Sequence, residues 1–350
     1  MIDVLIPAFN AGRTIESAVR SILDQTVRDL RVIVVDDGST DGSGAILARL
    51  AAADPRLEVV TTPNRGIVDA LNTGLAKCRS DLVARHDADD IAFPNRLERQ
   101  IAYLEANPDC VAVGCNVWRI DAEGRRIGKT NVGGEAWGDT SLIPSWEPYL
   151  LHPFLTARRS ALEAVGGYRY VFHAEDTDLY WRLAPLGRLF SLHDVLGEYR
   201  VHSGSITSGS IRNARIGAVE AQLAAISAAR RASGREDLPF PRSALAKLQA
   251  ADDLEAVIDS VAADLDEAER RYLEVASAAK MLELRLYREF RFTRGDMKSI
   301  AALLFRHRRQ LNWRTRLKFA EQVARYTKLK TRLRRLAFWR PAPSLGVAGS

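Results

Sequence analysis

The sequence predicts an α/β protein built on a mainly parallel mixed sheet, followed by an all-helical C-terminal region. Three observations carry that expectation. Short apolar runs alternate with helix-periodic segments over the first hundred residues, polar clusters fall directly after those runs, and beyond about residue 209 the composition turns to Ala, Leu, Arg and Glu at helical period. The chain therefore divides into an expected catalytic domain over 1–208 and a helical region over 209–350.

Ile2 to Ile6 is an apolar run closed by Pro7, and after Gly12 and Thr14 the residues Ile15, Val19, Ile22 and Leu23 recur at helical spacing. Arg31 to Val35 repeats the strand, Asp36 to Ser43 the polar loop, and Ile46, Leu47 and Leu50 the helix. Leu57 to Thr61 and Leu82 to Ala84 read as further strands. Such alternation implies βαβ units, whose ligands bind beyond the carboxyl ends of the strands. Pro7 to Asn10, Asp36 with Asp37, Asn64 to Gly66, and Asp87 to Asp90 all follow strands, so they share one sheet edge. Pro94 opens a helix with the stripe Leu97, Ile101 and Leu104; Cys110 to Trp118 and Arg125 to Gly128 form a hairpin around Asp121-Ala122-Glu123-Gly124. Asn131 to Leu150 has no clear period and carries Trp137 and Trp146; it reads as a mobile or acceptor-facing loop, or as a long loop packed by its own tryptophans. Glu175 and Asp176 precede Leu179, Trp181 and Leu183, at the start of a helix, and the later helical region breaks at Leu238 to Pro241.

A length of 350 residues and 47% hydrophobic content predict about two packed domains rather than disorder. Thirteen basic residues against Glu321 alone give the stretch Arg306 to Arg340 a charge of +12, so on a chain of net +6 the remainder carries −6. Leu317, Ala320, Val323 and Leu329 near helical spacing make that tail read either as a basic amphipathic helix on an anionic membrane surface or as a helix packed with its charges in water; nucleic acid is the unlikely partner. Cys78, Cys110 and Cys115 have neither CxxC spacing nor a zinc-type partner and read as buried thiols of a reducing compartment. No leader peptide is evident and no run approaches 18 apolar residues, so the expected location is cytoplasmic, with peripheral attachment to the inner membrane face an option.

The run Asp87-Ala88-Asp89-Asp90 puts three carboxylates in four positions. Like charges this close cost free energy unless a cation neutralises them, and oxygen ligands suit Mn2+ or Mg2+. A turn that merely caps a helix also explains the triplet taken alone.

Together, Val4-Leu5-Ile6-Pro7-Ala8-Phe9-Asn10, Val34-Val35-Asp36-Asp37-Gly38-Ser39-Thr40-Asp41, Asn64-Arg65-Gly66, Asp87-Ala88-Asp89-Asp90, Gly166-Gly167-Tyr168, Glu175-Asp176 and Tyr199-Arg200-Val201-His202 make the first 208 or so residues resemble the family 2 inverting glycosyltransferases of Rossmann-like GT-A fold. The resemblance implies transfer from a nucleotide sugar, with a UDP-sugar the expected donor, to a saccharide or lipid-linked acceptor in cell-surface polysaccharide or glycolipid synthesis. It implies that Asp37 takes the uracil edge while Pro7, Ala8 and Phe9 line the base and ribose, with Asn10, Asp36, Asn64 and Gly66 beside them. An Asx turn opening the next helix accounts equally for Asp36 and Asp37. By the same resemblance Asp89 binds the metal that bridges the two phosphates, Asp87 supports the ribose or the metal, and His202 approaches the metal or diphosphate. Asp176 is the implied general base, with Glu175 beside it and Asp178 the lesser candidate; a helix-capping acid pair is the plain alternative. A processive membrane synthase would need spanning helices and a QxxRW-type motif, and a nucleotidyltransferase a glycine-rich basic loop after the first strand; neither is found. A non-catalytic nucleotide-sugar-binding or membrane-associated scaffold protein is the remaining alternative.

Overall fold

The computed structural model describes residues 1–201, 210–287 and 292–307, together with 316, 317 and 320. Strand β1 (Ile2–Ala8) and strand β2 (Leu30–Asp36) pair in parallel around helix α1 (Ile15–Leu23), and helix α2 (Ser43–Ala53) leads to β3 (Leu57–Thr61), parallel to β2. Helix α3 (Ile67–Leu75) returns the chain to β4 (Leu82–Arg85), parallel to β1 on its other side. Then follow β5 (Ile91–Ala92), α4 (Arg96–Ala106), β6 (Cys110–Ile120), β7 (Arg126–Lys129), β8 (Gly134–Glu135), β9 (Thr156–Arg158), α5 (Arg159–Ala164), α6 (Glu175–Leu183) and β10 (Arg188–Arg200).

These strands make one sheet of order β3-β2-β1-β4-β9-β6-β10-β5, with β7 on β6 and β8 on β10. The sheet is mixed, and each ladder of four pairs or more is parallel. β1 is buried along its whole length, as a strand covered on both faces must be. One face packs Leu5, Ile33 and Val35 against Leu71, Leu162 and Leu179; the other packs Val4, Ile6 and Val34 against Ile15, Val19, Leu47 and Leu97. The apolar stripe foreseen for α1 is the one buried.

The helical region follows as α7 (Ile211–Ala232), α8 (Ala244–Ala250), α9 (Leu254–Val261), α10 (Glu267–Tyr287) and α11 (Arg294–Arg306). Its core gathers Val219, Leu223, Val257, Leu273, Met281, Ile300 and Leu303, and a buried ion pair, Arg215 Nε to Asp296 Oδ1 at 2.6 Å, ties α7 to α11. Against the sheet domain, α7 lays Ala224 and Ala225 on Trp181 and Ala221 on Val171 and Ala174. The segment 202–209, which contains the expected boundary and His202, lies outside the described residues, as does nearly all of the basic tail.

Residues 131–150 form a loop with Trp137 stacked on Trp146, ring centroids 5.8 Å apart, and an isolated bridge between Asp139 and Trp146. Its far end is anchored to the helical region by Glu147 to Lys280 at 2.6 Å and by Ser145 N donating to Gln222 Oε1 at 3.2 Å. The three cysteines are free and buried. Among the described residues no helix is long and apolar enough to cross a membrane.

Candidate active site

A cleft of about 1140 Å³ opens at the carboxyl ends of β1, β2, β3 and β4. It is lined by Pro7, Ala8, Phe9, Asn10, Asp37, Asn64, Gly66, Asp87, Asp89, Glu175 and Asp176, so the structure brings these eleven sequence-expected residues together. Asp36 is not among the lining residues: buried at the end of β2, its Oδ1 accepts Ser39 N at 3.0 Å and closes the turn.

The half nearest β1 to β3 is held by side-chain to backbone bonds. Asn10 takes a left-handed φ of 49°, which Asn tolerates, and its Oδ1 accepts Thr40 N at 2.8 Å. Asp37 accepts Thr62 Oγ1 and Arg65 N on Oδ1 at 3.2 and 2.9 Å, and Gly66 N on Oδ2 at 2.7 Å. Its carboxylate thus fixes the Asn64-Arg65-Gly66 loop. Gly38, at φ 74°, lets that loop approach, since a Cβ there would stand 2.8 Å from Asn64 N. Phe9 leaves half its surface exposed on the cleft wall.

The acidic turn follows β4 directly. Carboxylate oxygens of Asp87, Asp89 and Asp90 lie within 4.8 Å of one another, an oxygen-only set of the kind that hard divalent ions prefer. Asp90 is fully buried and its Oδ1 accepts Arg200 N at 2.8 Å, while Arg200 Nε donates to the Asp89 carbonyl at 3.0 Å. Burial and the neighbouring Asp87 and Asp89 push the Asp90 carboxyl well above the usual carboxylate range. Arg85, the last residue of β4, meets Asp87 Oδ1 through Nη2 at 2.5 Å, yet its buried Nε and Nη1 have no hydrogen-bond partner among the described residues. His86 points away from the cleft into a buried contact with Arg96 and Phe154.

Across the cleft, Glu175 and Asp176 occupy the first turn of α6. Burial, and for Glu175 also the charge of Asp176, raises both carboxyls above their ordinary range. Thr177 N on Asp176 Oδ1 at 2.7 Å and the charge of Arg85 pull Asp176 the other way. Asp178 is committed elsewhere, paired with Arg169 and with Arg182. Arg85, Arg200, Asp41, His152 and His173 also line the cleft but received no role from sequence. Arg85 had a signal, because a cation next to a run of like charges is its nearest neutraliser; His152 stands apart from the quoted motifs, whereas His173 stands two residues before Glu175 and its position there went unused.

With an acidic cleft at the strand ends of the α/β sheet and the carboxyls of Glu175 and Asp176 opposite, the fold is GT-A. It is similar to a mannosyltransferase from Pyrobaculum calidifontis in complex with GDP-Man and Mn2+, at a TM-score of 0.50 and 22% identity over 92% of this chain and 84% of that one. It is also similar to S. aureus TarS 1–349 in complex with UDP-GlcNAc, at a TM-score of 0.52 and 16% identity over 97% and 93% of the two chains. Residues 3–166 match glycosyl transferase family 2. The amylovoran biosynthesis glycosyltransferase AmsE of Erwinia amylovora is 30% identical over 211 residues, 59% of this chain and 78% of the relative. This chain belongs to glycosyl transferase family 2.

Proposed function

We propose that the protein is an inverting, metal-dependent glycosyltransferase that moves a hexosyl group from a UDP-sugar to a hydroxyl of a saccharide or lipid-linked acceptor, in the synthesis of a cell-surface polysaccharide or glycolipid. The observation that carries this reading is the charge of the cleft. Seven acids line it, Asp37, Asp41, Asp87, Asp89, Glu123, Glu175 and Asp176, against Arg13, Arg85 and Arg200. A diphosphate entering so negative a space needs a counter-cation. Asp89 and Asp87 would hold Mn2+ or Mg2+, which supplies charge neutralisation of the departing diphosphate. The Mn2+ in the mannosyltransferase complex and the amylovoran role of AmsE support the cofactor and the pathway class.

The chain's own groups divide the remaining work. Phe9 offers an exposed ring for the base and the Asp37 loop frames it. Asp176 accepts the proton of the acceptor hydroxyl as it attacks C1, a contribution of typically 10²–10⁴-fold for general-base catalysis. One attack from the face opposite the leaving diphosphate inverts the anomeric centre. His202, outside the described residues, would complete the metal shell.

UDP release from UDP-sugars with Mn2+ tests the reading. Asp176→Asn is expected to bind UDP-sugar and Mn2+ as before while transfer falls by about 10²-fold or more. Unchanged turnover would remove Asp176 from the reaction, and binding that declines in step with rate would make it a donor ligand.

A further inference from the structure

Glu220 lies in the middle of α7, 2% exposed, within the helical region and beyond the stretch that matches the family. Its Oε1 accepts the amide of Phe172 at 3.0 Å and its Oε2 the amide of His173 at 2.8 Å. Burying a carboxyl is expensive unless its hydrogen bonds repay it, and an apolar side chain would serve packing better. Burial pushes this carboxyl up to about 8. The position therefore calls for a task beyond filling space.

The segment it holds leads straight into the base. Phe172 and His173 line the cleft, and Ala174 opens α6 without a side-chain cap. Two neighbours on α7 complete a socket for the segment. Gly217 brings the α7 backbone against His173, where a Cβ would stand 3.3 Å from the carbonyl oxygen, and Ala221 packs on Val171 and Ala174.

We propose that Glu220 is a positioning residue for the reaction: by gripping the amides of Phe172 and His173 from the helical region, it fixes the first turn of α6 so that Asp176 faces the cleft. The role rests on Asp176 acting as base, and small displacements of a reacting group are enough to matter, since about 1 Å can cost 10²-fold.

Two variants of the full chain test it. Glu220→Ala removes both acceptors; Glu220→Gln keeps the volume but turns one acceptor into a donor facing an amide. The expected result for Glu220→Ala is amide exchange over residues 171–177 about tenfold faster or more, with α7 and α10 as protected as in the wild type. Its kcat for UDP-sugar-dependent transfer should fall about tenfold with the donor KM within about twofold, and Glu220→Gln should lie between. Unchanged exchange over 171–177, an unchanged kcat, or loss of protection spread evenly through α7 and α10 with kcat and KM worsening together would overturn the proposal. If the wild type releases no UDP from any donor, the reading of Asp176 fails and the catalytic half of the proposal with it, while exchange at 171–177 still decides whether Glu220 holds the segment.

Discussion

At the scale of single residues, the carboxyls of Glu175, Asp176 and Glu220 are all raised, in each case chiefly by burial. A folded-state value above the unfolded one means that the neutral form is favoured in the fold. Stability from such a group is complete below its unfolded value and is lost as pH climbs through the folded one. For Glu220 that window runs from 4.5 to about 8. Activity is expected to run the other way, because Asp176, as the proposed general base, must be ionised. Thermal unfolding and transfer measured side by side across this range should show Tm falling while kcat rises, with the acid limb of kcat above the range of an ordinary Asp. A kcat that stays flat down to pH 4 would contradict the burial of the base. Of these three groups the sequence offered two, since Glu175-Asp176 stands before a recognisable helix. Glu220 is the single acid of α7, and its partners are backbone amides some fifty residues away that no side-chain pattern records.

At the scale of elements, the strands of the first half were legible because parallel strands buried on both faces read as uninterrupted apolar runs. Helix α3 was not read, since Asp69, Asn72, Thr73 and Gly74 dilute its stripe. β10 was missed for a different reason: its pairing with β6 shifts register three times, which breaks the alternation that marks a strand. Gly74 shows what α3 needed instead of a stripe. A Cβ there would stand 2.0 Å from Leu5 Cδ1 and 3.1 Å from Val35 Cγ2, both in the core. Gly74→Val should therefore cost about 3 kcal/mol by overpacking, although Gly is a poorer helix former than Val. A denaturant midpoint equal to that of the wild type would show that α3 can slide on the sheet.

At the scale of the whole molecule, an acidic body carries a strongly basic C-terminal stretch. With roughly 1 kcal/mol from each Lys or Arg near an anionic surface, even half of the thirteen would hold the protein there. Co-sedimentation with anionic but not neutral vesicles, lost at high salt and on truncation after Gln310, is the expected outcome; equal sedimentation of full-length and truncated chains would leave the tail no such role. The grip of α7 on the segment before α6 bears on how such enzymes are recombined. A hybrid that joined residues 1–208 to the helices of a relative would carry over the donor-side motifs intact but meet Phe172 and His173 with a foreign socket. The donor-side motifs would come from one parent and the support of the segment before α6 from the other, so a seam that keeps the two matched belongs after α7 rather than before it.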